Sequence, residues 1–158
     1  MSLNSPPAVT IRFAEPRERD DLVALQWRAS LANERDRDIL LAHPDAIDLP
    51  IEQISFRRVY VAELDGTVAG FAVVLPRDDG DAELDGLFVE PDRWQAGVGA
   101  AMVEHGCQIA AEFGAQYLHV IGNPHAKGFY EKCGFNLVGD FETRFGPGIL
   151  MRRAICAD

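Results

Sequence analysis

This sequence predicts an α/β fold, a mixed and mostly antiparallel central sheet with helices on both faces. Three observations carry that expectation. Two strand-like runs, 58–64 and 67–75, flank Asp65-Gly66, a dipeptide that favours a two-residue hairpin turn. A helical pattern over 97–113 lies between the strand-like runs 82–89 and 116–121, so it links them as a parallel crossover. Two closing runs, 136–144 and 149–155, bracket Gly146-Pro147-Gly148 as a further hairpin. One parallel crossover among hairpins makes a mixed sheet.

The elements follow in order. VTIRF, 9–13, reads as a first strand. Pro16 suits an early helical position, and Leu22, Leu25 and Ala29 recur at helical spacing, which predicts a helix over 17–31. A second helix is expected over 34–42, stopping before Pro44. Residues 43–56 are open between loop and short helix, with Asp45, Asp48 and Pro50 favouring loop near the start. The loop 76–81, PRDDGD, leads into the strand 82–89. Gly114 stands where a left-handed cap would end the crossover helix. A short helix over 126–133 ends at Gly134. The full order is β-α-α-β-β-β-α-β-α-β-β.

The chain has 158 residues, a length that suits one domain over 9–156, with 1–8 as a disordered or vector-derived N-terminus. Its formal net charge of −10 argues against nucleic acid as a partner, because phosphate contacts need clustered Lys and Arg. That charge is compatible with a cationic amine substrate, and equally with simple solubility. No apolar run reaches membrane-spanning length, and Met1–Pro7 lacks the features of a secretory signal. Cys107, Cys133 and Cys156 are widely spaced, which suits a reducing cytoplasm better than a disulfide framework or a zinc site.

The most informative stretch is 83–102, ELDGLFVEPDRWQAGVGAAM. A strand runs into a Gly-x-Gly turn, Gly97 and Gly99, and the turn opens a helix. Glycine permits the tight turn and close approach. The first helical N–H groups lack intrahelical partners and favour an anion, phosphate above all. Downstream stand Asn123, Ala126 and FYEKCGF at 129–135. A P-loop would need Lys and Ser or Thr after Gly99, where Ala100 and Ala101 stand. A dinucleotide fingerprint would need a third glycine where Met102 stands, and an acidic residue that YLHVIG, 117–122, does not offer.

Taken together, these segments resemble the GCN5-related N-acetyltransferase (GNAT) family. Its signature is Gln/Arg-x-x-Gly-x-Gly/Ala after a Val-x-Pro turn. Here that is Val89-Glu90-Pro91, then Trp94-Gln95-Ala96-Gly97-Val98-Gly99. Trp94 replaces the Gln or Arg, and Gln95 falls one place late. The resemblance spans about 9–154 and is strongest over 83–135. It implies a GNAT-like (acyl-CoA N-acyltransferase) fold in a single domain, with acetyl-CoA as co-substrate and no metal. It implies that N–H groups of Gln95, Ala96, Gly97, Val98, Gly99 and Ala100 hold the pyrophosphate. It also implies that the strands flanking the crossover helix splay, so that Leu87, Phe88 and Val89 bond the pantetheine arm. Asn123, Ala126, Phe129 and Tyr130 complete the cofactor-binding set. A homodimer follows from family habit alone.

Acetyl transfer to an amine requires removal of the amine proton, stabilisation of an oxyanion and protonation of the leaving thiolate. The family places a tyrosine at Tyr130 as general acid. The plainer reading is an aromatic core residue, for which Phe129 is the better candidate. Asn123 is implied to bond the cofactor arm, or else simply initiates a turn before Pro124. Glu83 and Asp85 lie two apart and share a strand face, where either serves as base or binds the amine. The alternative is that 82–85 is solvated beside its loop. His125 is a further candidate base, while His119 reads as a satisfied sheet residue. Cys133 reads as an inert buried thiol.

The function expected is an acetyl-CoA-dependent N-acetyltransferase. Its acceptor would be a small-molecule amine or a protein amine, acetylated by direct attack in a ternary complex. A non-catalytic acyl-CoA-binding module of the same fold is the alternative, although it would need neither Tyr130 nor the carboxylates. A hydroxyl acceptor on the same fold is a third reading, and the acceptor segment 15–56 shows no decodable motif.

Overall fold

Strands form at Val9–Phe13 (β1), Val59–Leu64 (β2), Thr67–Pro76 (β3), Ala82–Val89 (β4), Tyr117–Gly122 (β5), Asn136–Thr143 (β6) and Gly146–Ala154 (β7). Helices form at Arg19–Leu31 (α1), Glu34–Ala42 (α2), Ile51–Ser55 (α3), Val98–Glu112 (α4) and Lys127–Lys132 (α5). The structure, a computed structural model, describes residues 9–94 and 96–155, and of Glu34 and Arg35 the backbone alone. The expectations for residues 1–8, Gln95 and Cys156 fall outside the described residues.

The strands hydrogen-bond in the order β1-β2-β3-β4-β5-β7-β6, an open sheet. It is mixed, as expected, because β4 runs parallel to β5 while β5–β7 and β6–β7 are antiparallel. The chain divides into two compact units. One comprises the described parts of Met1–Phe71 and Leu87–Met102, the other those of Ala72–Gly86 and Val103–Asp158.

In the first unit, β1 pairs with β2 from Val9↔Leu64 to Phe13↔Tyr60. The turn into β3 has Asp65 at φ 55° and Gly66 at φ 78°, the two positive values that a type I′ hairpin requires. Leu22 and Leu25 bury one side of α1. Tyr60 is fully buried, and its hydroxyl donates to the Met102 carbonyl on α4 at 2.7 Å. A buried phenol would otherwise be costly, so this bond holds the start of α4 to β2. Gly70 allows β3 to approach β4. A Cβ there would come within 2.7 Å of the Phe88 carbonyl oxygen. The ambiguous segment 43–56 contains α3, directly after Pro50. The Arg19 Nε–H donates to the Leu49 carbonyl at 2.7 Å and fastens that segment to α1.

In the second unit, the later turns of α4 bury Val103, Ile109 and Ala110. Gly114 follows α4 at φ 79°, the left-handed stop that the sequence indicated. The β6–β7 turn differs from expectation. It is Arg144-Phe145, because Thr143 pairs with Gly146, and Gly146-Pro147-Gly148 belongs to β7. Pro147 is tolerated because the β5–β7 pairing ends at Gly122↔Ile149. No β5 partner asks for the N–H that proline lacks. Thr143 braces the turn, its Oγ1 donating to the Gly146 carbonyl at 2.7 Å. Among the described residues, no helix is long and apolar enough to cross a membrane.

Candidate functional site

The first unit holds the end of β4, the corner after it, and the opening of α4. Strand backbone groups point to alternate neighbours, and two contacts fix the sense here. The Glu90 N–H donates to the Ala69 carbonyl on β3 at 2.8 Å, and the Phe88 carbonyl lies beside Gly70 on β3. The groups of Phe88 and Glu90 therefore face β3. Those of Leu87 and Val89 face the opposite edge. The β4–β5 register covers Ala82↔Leu118 to Leu84↔Val120. Beyond it β4 runs five further residues, to Val89, and β5 only two, to Gly122. The Phe88 ring packs on Phe71 with centroids 5.2 Å apart.

After β4 the chain tightens through a 3-10 turn, Pro91–Arg93. Arg28 on α1 forks onto Glu90 with two bonds of 2.9 Å, which steadies the corner. Gly97 has φ 81°, and nothing lies within 4 Å of where a side chain would begin. The first ladder bond of α4 runs from the Ala101 N–H to the Gly97 carbonyl at 3.0 Å. The N–H groups of Val98, Gly99 and Ala100 precede that ladder and face an incoming ligand with the positive end of the helix. Ala96 is exposed before them. The Arg93 side chain makes no hydrogen bond or ion pair among the described residues, so its guanidinium is left for a ligand at the same corner. These features fit a diphosphate.

The second unit holds the titratable candidates. Glu83 is half-buried, and Asp85 keeps an exposed face while protein crowds the rest. Among the described residues neither carboxylate has a hydrogen bond or an ion pair. Burial pushes the Glu83 carboxyl above its usual range and the Asp85 charge pushes it further. Arg77 and His119 pull the other way. Burial alone raises Asp85. His119 is engaged elsewhere, its Nε2 lying 2.8 Å from Asp81. That contact holds the Asp81 carboxyl below its usual range, with help from the N–H groups of Gln116 and Tyr117. His119 is thus the satisfied sheet residue that the sequence suggested. Asp79 stands beside this pair and, with Asp81 and His119, offers three potential metal ligands. The Asp79 carboxylate is already bound by the Arg77 guanidinium and the Asp81 N–H.

Asn123 follows β5 and opens the turn Pro124–Ala126, its carbonyl accepting the Ala126 N–H at 2.9 Å. His125 is exposed in that turn. The core expectation for Phe129 is corrected. Its ring is 37% exposed, while Tyr130 is the aromatic that packs inward. Tyr130 meets Phe135 edge-on at 5.4 Å and Phe129 at 5.2 Å. Tyr130 also lies close against β5, since a Cβ on Gly122 would be 3.1 Å from its ring. A six-residue helix offers one inward face, and Phe135 directs Tyr130 onto it. Burial pushes the Tyr130 phenol up to about 12, with the neighbouring Cys133 adding to it. It is therefore protonated at neutral pH and available as a donor. Burial also raises the Cys133 thiol, and its carbonyl accepts a bond from Arg153. That supports the inert reading of Cys133.

Two residues and one contact escaped sequence reasoning. Gly122 makes room for Tyr130, and its only signal was a small residue just before Asn123. Arg93 lay one place before the motif and looked like an ordinary surface charge. The Trp94 indole N–H donates to the Val89 carbonyl at 3.0 Å, a tertiary contact with no sequence signal.

Comparison with known proteins adds independent findings. The family model described as acetyltransferase (GNAT) family matches residues 20–135, well over half of the chain. An uncharacterized N-acetyltransferase of Mycobacterium tuberculosis (strain ATCC 25618 / H37Rv) is 32% identical over 93 residues, 57% of this chain. That match spans only 60% of the relative's own length. The crystal structure of a GCN5-related N-acetyltransferase from Rhodopseudomonas palustris superposes with a TM-score of 0.72 at 20% identity, covering 98% of this chain and 99% of that one. An aminoglycoside 6'-N-acetyltransferase complexed with coenzyme A gives a TM-score of 0.72 at 18% identity, covering 94% and 98%. At such identities the two structures show a shared fold.

Proposed function

We propose, because this chain belongs to the acetyltransferase (GNAT) family, that it transfers the acetyl group of acetyl-CoA to a primary amine. The observation that carries the reading is the opening of α4, with free N–H groups, a left-handed Gly97 and an unengaged Arg93 at one corner. Residues 9–156 act as a single N-acetyltransferase domain in this reading, and the cytoplasm is its setting.

Acetyl-CoA supplies an activated acyl group as its thioester. Gly97, Val98, Gly99 and Ala100 hold the diphosphate through backbone N–H groups, joined by that of Gln95 and by the weakly bonded one of Ala96. Leu87 and Val89 bond the pantetheine arm, since their groups face away from β3. Asn123, Ala126 and Phe129 contribute to the cofactor's surroundings. Glu83 or Asp85 takes the proton of the attacking amine, and Tyr130 donates to the departing sulfur. The acceptor is a cationic small-molecule amine or a protein amine. Two carboxylates without an ionic partner among the described residues favour a positively charged one.

Thermal unfolding with acetyl-CoA, longer acyl-CoAs, NADH and ATP in parallel tests this reading. A ligand at about a hundred times its Kd adds roughly 2.7 kcal/mol, a clear rise in midpoint. Stabilisation by acetyl-CoA and not by NADH or ATP is expected. No response to any acyl-CoA would reduce the loop to a structural turn. Binding without acetylation across an amine panel would favour a non-catalytic acyl-CoA module.

The base assignment has its own signature. A base must be deprotonated, and both carboxyls titrate above the usual carboxylate range. The acid limb of kcat/KM is therefore expected above the ordinary value of whichever carboxyl is the base, about 4.3 for Glu83 and about 3.9 for Asp85. Glu83→Gln and Asp85→Asn are compared, and the limb vanishes in whichever variant lacks the base. A limb preserved in both removes the pair from the mechanism.

A further inference from the structure

We infer that Trp94 is a positioning residue of the phosphate loop. Its indole N–H clasps the loop onto the outward edge of β4. It thereby places an N–H donor at the position where the family signature has Gln or Arg. The inference rests on the acetyl-CoA reading above.

Four observations carry it. First, the bond is aimed. The Val89 carbonyl points away from β3, because the Glu90 N–H that follows it points towards β3. The indole reaches that carbonyl at 3.0 Å, at the last residue of β4. Second, the loop needs such a tie. Its own backbone bonds include Trp94 N–H to the Pro91 carbonyl at 3.4 Å and Ala96 N–H to the Arg93 carbonyl at 3.3 Å. Both exceed the usual 2.7–3.2 Å range and hold weakly. Among the described residues of the loop, only the Arg93 N–H to the Glu90 carbonyl is short, at 2.8 Å.

Third, burial alone does not explain the position. Trp94 is 49% exposed, so half of the ring gains nothing from packing and the bond from the polar tip adds to what holds it. Fourth, the corner is already held from its other side, where Arg28 forks onto Glu90. Trp94 completes the fixation one residue before Gln95 and three before Gly97. The replacement of Gln or Arg by Trp then keeps the relevant chemistry, since all three side chains donate from nitrogen. The clasp does not compete with a ligand bonded along the edge, because a carbonyl oxygen has a second lone pair.

Trp94→Phe keeps a ring and removes the N–H, and Trp94→Gln restores a donor. Amide hydrogen exchange of the ligand-free full chain reads the clasp directly. Calorimetric titration with acetyl-CoA reads its consequence. Trp94→Phe is expected to exchange about five-fold faster over residues 92–97 and to bind acetyl-CoA about five-fold more weakly. Trp94→Gln returns both values towards wild type. Unchanged exchange and affinity in Trp94→Phe overturn the clasp. Failure of Trp94→Gln to recover overturns the donor account. Faster exchange in Trp94→Phe with no acetyl-CoA binding by the wild-type protein overturns the acetyl-CoA reading and the loop's phosphate role together.

Discussion

Tyr130→Phe is expected to lower turnover by about 10²-fold while leaving acetyl-CoA affinity within about two-fold. The aromatic slot explains the split. Tyr130 lies against Gly122 and between Phe129 and Phe135, and a phenylalanine fills the same space. Only the hydroxyl is lost. That hydroxyl is protonated throughout the usual assay range, because burial raises it to about 12. A thiol in water titrates near 8.5, so a thiolate there would not draw the proton away. Desolvation raises the basicity of a buried thiolate as well, which narrows the gap as the sulfur leaves. Under the proposed reading, Tyr130 would first act as a hydrogen-bond donor to the developing charge and would release its proton late. Steady-state kinetics with the best amine found, beside acetyl-CoA titration of both proteins, gives the answer. Equal turnover would remove Tyr130 from the chemistry.

Gly99→Glu is expected to abolish acetyl-CoA binding in a folded protein. Gly99 is the second residue of α4. An acidic side chain in a helix's first turn favours the helix, so the fold should tolerate it. The same charge meets a diphosphate at the one place where backbone N–H groups would receive it. Two unit charges about 4 Å apart near a protein surface interact by about 4 kcal/mol, close to a thousandfold in affinity. Titration calorimetry with the unfolding midpoint of the free variant separates the two effects. A folded variant with intact affinity would place the phosphates elsewhere.

What could be read from the chain depended on how local each signal was. Asp65-Gly66 announced its hairpin because few other residues accept two positive φ values in succession. The crossover helix was legible because apolar spacing persists over four turns, and Gly114 marked its end. The helix α3 stayed ambiguous, since five residues are too few for periodicity to register. Gly146-Pro147-Gly148 looked like a turn from composition. Strand pairing decided otherwise, because Pro147 sits just where β7 outruns β5. The motif identified Glu83, Asp85 and Tyr130 as candidates. It did not reveal that Tyr130 and not Phe129 turns inward, because that choice belongs to Phe135 and Gly122. The bond from Trp94 to Val89 joins residues five apart in sequence, yet it depends on a corner that only the folded chain defines.

The alternation of β4 has a consequence for donor choice. Leu87 and Val89 repeat their outward groups at an interval of about 6.6 Å, twice the rise of a strand residue. That edge is a ruler with two marks. A ligand gains both only if its own amides recur at a matching interval, as they do along a peptide or a pantetheine chain. Under the proposed reading, nucleotides that lack such a chain would gain only the loop at the opening of α4. In that reading the ruler would measure the handle of the donor and not its acyl load. Discrimination among acyl groups would then fall to other residues than Leu87 and Val89.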